Sequence, residues 1–256
     1  MKITILNKRY KTNIIQLNLS YIQLQNLPSE IGNLQILDLH INQLQSLPAE
    51  IGDLIDLQSL NLDINQLQSL PAEIGNLINL QSLNLSNNKL QSLPAEISNL
   101  RNLRKLGLLN NKLQNLPSEI DNLINLQNLN LYNNQLQSLP AEFGNLRNLQ
   151  KIDLSNNKLQ SLPAEIGNLC NLKELILFNN QLQSLPIEIL KIKNTLQIND
   201  TSYDINNLNI DNEIIIFTDI HKKITNLPFY TTEIWLKSDI KNDLIKLPFG
   251  CVIKYF

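Results

Sequence analysis

Leucines run through most of this chain in a fixed order. Two alternate with polar residues across a short segment, others follow at wider spacing, and the phrase begins again. The stretch LQSLNLSNNKLQSLPAEISNLRN, from Leu80 to Asn102, is one complete period. Its opening leucine recurs at Leu34, Leu57, Leu80, Leu103, Leu126, Leu149 and Leu172, each 23 residues after the last. Inside the period, Ser82-Leu83-Asn84-Leu85-Ser86 alternates with the two-residue repeat of a strand, so its leucines face inward and the residues between them face out. Leu-Pro follows at Pro48, Pro71, Pro94, Pro117, Pro140, Pro163 and Pro186, with Ala-Glu-Ile or a close variant after it. Proline suits the first position of a helical turn, where its missing N–H needs no partner, and the glutamate lies near the positive end of that turn. One or two turns of α- or 3-10 helix are expected there.

Between strand and proline stands an asparagine: Asn42, Asn65, Asn88, Asn111, Asn134, Asn157 and Asn180. An amide where the chain leaves the sheet can donate to and accept from backbone groups of its own turn and the adjacent one. The seven then form a structural ladder, and losing a buried member costs about 1–3 kcal/mol. One unit cannot bury enough apolar surface to offset the entropy of ordering it, so it is stable only in an array. A fixed period carrying L-x-x-L-x-L-x-x-N-x-L is the leucine-rich-repeat signature. The fold class expected is an α/β repeat: a right-handed solenoid, or horseshoe, with a parallel β-sheet on its concave face and short helical or 3-10 turns on its convex face.

Three segments follow from the pattern. Residues 1–13 alternate briefly at Ile3 and Ile5 and are expected to be an edge strand or partial cap. Residues 14–193 hold eight units. The first is irregular, with Ile22 at the ladder position and a step of 20 from Pro28 to Pro48, as though three residues were missing from the convex side after Asn33. Residues 194–256 lose the phrase. After a transition, EIIIFTDIHKKITNLPFYT from Glu213 aligns with EIWLKSDIKNDLIKLPFGC from Glu233 at a spacing of 20, and CVIKYF resembles the first strand of a third such unit. These divergent units are expected to cover the open end of the core; a separate globular module of that size would have a small core.

Composition narrows the function. With a net charge of -2 among 256 residues, no basic field invites nucleic acid or an anionic membrane surface. Lys8, Arg9 and Lys11 interrupt the segment where a signal peptide needs an apolar run, and no stretch approaches a membrane span. Cys170 and Cys251 are the only cysteines and have no metal or redox spacing, which favours an intracellular, cytoplasmic protein over a secreted one. The Asn-x-Ser/Thr sequons at Asn18, Asn84 and Asn199 are then accidental.

Residues 14–193 resemble the 23-residue intracellular leucine-rich-repeat class, whose units read N-x-L-x-x-L-P-x-E-I-G-x-L-x-N-L. Similar repeats occur in plant Ras-group-related proteins, animal Ras scaffolds and many bacterial proteins. The Leu-Pro-Phe units at 213–251 and the Asn, Ile and Lys richness resemble repeat proteins of giant DNA viruses of amoebae and their hosts. For a viral protein, the host cytoplasm or the virion would be the location. The resemblance implies protein partners of unrelated kinds, a small GTPase among them only at the level of the family. Bacterial repeat effectors with a ubiquitin-ligase domain have similar repeats, but Cys251 stands close to the end without catalytic surroundings.

No catalytic residue, metal site or cofactor is expected. His40 and His221 are too far apart along a solenoid to share a site, and Cys170 substitutes a convex residue where other units have Ile78 or Arg147. Function must lie where units differ within a constant frame, on the outward strand positions. Early units are small and polar there. Later ones bring Leu109, Tyr132, Ile176 and Phe178, with Lys105, Lys151, Asp153 and Glu174 around them, as a protein-binding hot spot would require. Drift among near-identical repeats gives the same pattern. The leading expectation is a non-enzymatic scaffold, favoured as a monomer, that binds a partner protein there. The alternatives are a structural or virion-associated repeat protein without one partner, and an adaptor that recruits through 195–256.

Overall fold

A computed structural model describes residues 15–27 and 34–182 in full. It also describes residues 186, 188 and 189, and the strands at 2–5, 8–11, 196–198, 214–217, 233–236 and 252–255. Two strands, β1 (Lys2–Ile5) and β2 (Lys8–Lys11), pair antiparallel in a small sheet of their own. The expected edge strand or partial cap is thus a hairpin separate from the main sheet.

All other strands join one parallel sheet in chain order. They are β3 (Gln16–Asn18), β4 (Ile36–Asp38), β5 (Ser59–Asn61), β6 (Ser82–Asn84), β7 (Lys105–Gly107), β8 (Asn128–Asn130), β9 (Lys151–Asp153) and β10 (Glu174–Ile176), then β11 (Leu196–Ile198), β12 (Ile214–Phe217), β13 (Glu233–Leu236) and β14 (Val252–Tyr255). Each strand reaches its neighbour by a crossover, and parallel crossovers are right-handed because a twisted strand packs back only that way. The result is the expected solenoid, with the sheet on its concave face. Leu60, Leu83, Leu106 and their equivalents are buried along one inward column, and Leu62, Leu85 and Leu108 along the next.

Among the described residues the other face carries the 3-10 turns η1 (Ala49–Asp53), η2 (Ala72–Asn76), η3 (Ala95–Asn99), η4 (Ser118–Asn122), η5 (Ala141–Asn145) and η6 (Ala164–Asn168). Each proline stands one residue earlier than its sequence suggests. Pro94, for instance, is the extended N-cap of η3, with φ -66° and ψ 149°, and its carbonyl accepts the Ile97 N–H at 3.1 Å. A proline's fixed φ suits either position, so sequence alone does not separate them. The glycine of the turn is set by stacking in four of the six units. A Cβ on Gly144 would lie 2.3 Å from the Glu165 carbonyl oxygen of the next unit, so glycine lets these two turns approach; η3 and η4 carry Ser98 and Asp121 at the same position.

Each ladder asparagine binds its own turn to that of the preceding unit. The Asn111 amide donates to the Leu108 carbonyl at 3.1 Å and to the Leu85 carbonyl of the preceding unit at 3.0 Å. Its oxygen accepts the Leu90 N–H at 3.0 Å. Asn65, Asn88, Asn134 and Asn157 repeat this set and are buried with it, and Asn42 and Asn180 continue it at the ends. In the first unit, where Ile22 replaces the asparagine, Asn42 still accepts the N–H groups of Ile22 and Leu24 at 3.2 and 2.9 Å. The step from β3 to β4 is the short one, Gln16 pairing with Ile36; the proposed site of the three missing residues lies outside the described residues.

Beyond β10 the strands continue in parallel register. β11 falls inside the stretch read as a transition, and Leu175 pairs with Leu196. Although the terminal motif recurs every 20 residues, the strands pair one residue short of that: Ile215 with Ile234, and Ile234 with Ile253. That register keeps an aliphatic residue in line with the Leu175 column at every step. Sliding it by one residue would exchange the two faces of the strand and bring Ile214 in line with Ile234.

Candidate functional site

The outward face of the sheet begins with a backbone requirement. Two residues beyond the end of several strands the chain turns out of the ladder, and the side chain of the strand's last residue caps the N–H there. Asn84 Oδ1 accepts the Ser86 N–H at 3.1 Å, Asn130 Oδ1 that of Tyr132 at 3.0 Å, and Asp153 Oδ1 that of Ser155 at 3.0 Å. Asp153, expected among the rim charges, is therefore committed to its own turn, and it also accepts the Ser155 hydroxyl. The recurrence of Asn or Asp two residues before Ser could have disclosed this from sequence. Gly107 has no cap to offer; a Cβ there would lie 2.7 Å from Asn84 Oδ1.

Against this polar ground two rings meet. Tyr132 and Phe178 belong to units separated by one other, yet their ring centroids are 6.4 Å apart at 59°. They lean toward each other across Ser155, which lies between them in the same column and is wholly buried. Both rings remain half-exposed, as does Leu109 one unit before Tyr132. Ile176 lies beside Phe178 but is nearly buried, so it contributes support more than free surface. Lys151 and Glu174 pair across neighbouring strands, Nζ to carboxylate, at 2.7–2.8 Å. Lys105 projects from β7, exposed. The structure thus makes two pairs on the later units, Tyr132 with Phe178 and Lys151 with Glu174, with Ile176 between Glu174 and Phe178 along the chain and Leu109 and Lys105 on the earlier unit that β7 begins.

Other reactive groups are scattered. His40 Nδ1 lies 2.7 Å from Asp38 Oδ1, and its ring packs edge-on against Tyr21 at 4.9 Å. Cys170 is exposed on the convex side, 3.9 Å from the Arg147 carbonyl oxygen. His221 and Cys251 lie outside the described residues. The Glu119 carboxyl, at the start of η4, takes its own backbone N–H and the Ser118 hydroxyl, which hold it below the usual carboxylate range; it is remote from the aromatic pair. Among the described residues no group of three His, Cys, Asp or Glu side chains could hold a metal ion, and no helix is long and apolar enough to cross a membrane.

Two family descriptions match the chain, "Leucine-rich repeat region" over residues 95–194 and "Leucine rich repeat" over residues 55–113. The chain is a leucine-rich-repeat protein. Among solved structures it is similar to the Leptospira interrogans LRR protein LIC12759, at 38% identity and a TM-score of 0.77, over 94% of this chain and 62% of that one. This repeat protein therefore spans about three fifths of the length of that bacterial relative. It also shares its fold with the LRR ectodomain of the Arabidopsis thaliana membrane receptor kinase GASSHO1/SCHENGEN3, solved in complex with Casparian strip integrity factor 2. That likeness is 24% identical with a TM-score of 0.69, over 93% of this chain and 36% of that one. No curated protein matches. Leucine-rich-repeat domains typically mediate protein–protein interaction and are generally non-enzymatic.

Proposed function

We propose that this protein is a non-enzymatic, intracellular scaffold that binds a partner protein on the concave sheet, centred on Leu109, Tyr132 and Phe178. The observation that carries the reading is the ring pair closing over Ser155. Stability alone does not require it: the other units fill the same column with Ser20, His40, Asp63, Ser86 and Leu109, and the frame beneath is unchanged. Half-exposed aromatics held by packing offer large contact area with little rotamer entropy left to lose, which is what an anchor residue supplies. The neighbouring Lys151–Glu174 pair gives the rim polarity that orients a partner more than it adds affinity.

The parallel pairing of β11 to β14 with β10 supports treating residues 194–256 as the end of the solenoid, covering its last unit, over treating them as a separate recruiting module.

The test is affinity capture from a lysate of the source cells. Wild type is compared with a Leu109→Ser, Tyr132→Ser, Phe178→Ser variant whose fold is checked by circular dichroism. A protein captured by wild type and lost by the variant is the expected result. Equal capture by both would overturn the assignment and turn attention to residues 195–256.

A further inference from the structure

The first residue after each strand's outward column turns back through left-handed backbone, and what occupies that position changes along the solenoid. Tyr21, Ile41 and Ile64 hold it in the first three units, and Asn87, Asn110, Asn133, Asn156 and Asn179 hold it afterwards, all with φ between 52° and 58°. Asparagine tolerates this conformation, whereas a β-branched side chain crowds its own carbonyl there. The asparagines also gain from their neighbours: Asn110 donates to Asn87 Oδ1 at 2.7 Å, and Asn133 to Asn110 Oδ1 at 2.8 Å. Tyr21, Ile41 and Ile64 have no such bonds to make. Backbone hydrogen bonds from Tyr21 to Ile41, and from Asn42 to Ile64, set them side by side at the rim of the sheet. Tyr21 is 67% exposed and Ile64 45%, and Ile41 between them is half-buried. Three large side chains, two of them exposed and Ile41 half-buried between them, thus occupy a position where the same chain elsewhere uses a residue that fits better.

Charge says what would cover them. From residue 12 to residue 88 the sequence carries seven carboxylates and no lysine or arginine; from 89 to 182 it carries nine cations against seven carboxylates. Asp38 and Asp63 lie half-buried beside the apolar stripe, Asp38 with one oxygen 2.7 Å from His40 Nδ1 and Asp63 accepting the Asn87 amide at 2.7 Å. An exposed tyrosine ring and nearby carboxylates both attract a cationic side chain and repel phosphate.

We propose that Tyr21, Ile41 and Ile64 form a second docking surface, for a polypeptide segment in which an apolar anchor is flanked by lysine or arginine. It stands on residues other than those of the aromatic pair, so either surface can fail without the other.

The experiment is selection of random phage-displayed peptides on the full chain, with a Tyr21→Asn, Ile41→Asn, Ile64→Asn variant as comparison. That variant installs the residue the later units carry at the same backbone position, so its fold is expected to hold; if the triple does not fold, Ile64→Asn alone is read in the same way. Enriched peptides are expected to join Leu, Phe or Trp to Lys or Arg. The best of them, synthesised, is expected to bind the asparagine variant at least about tenfold more weakly and the Leu109→Ser, Tyr132→Ser, Phe178→Ser variant as wild type does. No enrichment, enrichment of acidic sequences, or equal affinity for the asparagine variant would overturn the proposal. So would binding of wild type, lost in that variant, to vesicles containing anionic lipid, which would make the surface a membrane site.

Discussion

The first three units and the later five are built on one frame and differ in what they place on it. Both bury the same leucine columns, and both hang their turns on a ladder asparagine with bonds of nearly equal length: 2.9 and 3.1 Å from the Asn65 amide, 2.9 and 3.1 Å from that of Asn134. They part at the rim. The later units satisfy a left-handed position with an amide chain, and the early ones crowd it with Tyr21, Ile41 and Ile64. On the sheet the relation reverses: early units are small and polar, while the later ones bring together Tyr132 and Phe178. A repeat array can thus be uniform in what folds it and vary where folding does not decide. Departures from the better-fitting residue are then the places to look for function.

If the frame is common, the largest effects will not depend on the unit. Asn65→Ala and Asn134→Ala each strip a buried amide from four backbone groups. Each is expected to destabilise by about 3 kcal/mol in urea unfolding. Unequal losses of more than a factor of two would show that the two regions do not share one frame. Gly144→Ala, which must push the Glu165 carbonyl aside, is expected to cost about 2 kcal/mol by the same measurement. The rim separates the regions in sign: Asn110→Ile is expected to lose about 1–2 kcal/mol, since it adds the strain and breaks two amide bonds. Smallest is Tyr132→Ser, expected to shift stability by no more than about 0.5 kcal/mol while reducing capture of the partner. A large loss of stability from it would mean that the ring belongs to the core.

Much of this was legible in the letters. The leucine period gave strands, turns and their order, because each buried position recurs in every unit and has one physical explanation. The ladder was readable for the same reason. What escapes depends on how side chains are seated. Asp153 reads as a rim charge, yet its carboxylate caps Ser155, and Ile176 reads as exposed, yet it is nearly buried. Proline's preference for φ near -65° fits two successive positions, so the start of each 3-10 turn was displaced by one residue. The terminal motif spacing and the strand spacing differ by one residue, and only the pairing shows which keeps aliphatics in line. The left-handed stripe was invisible because a run of letters such as HINQL carries no sign of φ.

The early rim residues are retained against the preference of their own backbone. The decisive comparison is Ile64→Asn with wild type in equilibrium urea unfolding of the full chain. A higher midpoint is expected, with about 1 kcal/mol of added stability, because asparagine relieves the left-handed crowding at φ 52°, while the Asn87 amide keeps its bond to Asp63 at 2.7 Å. A lower or unchanged midpoint would mean that Ile64 is held there by packing. The stripe would then need no partner to explain it.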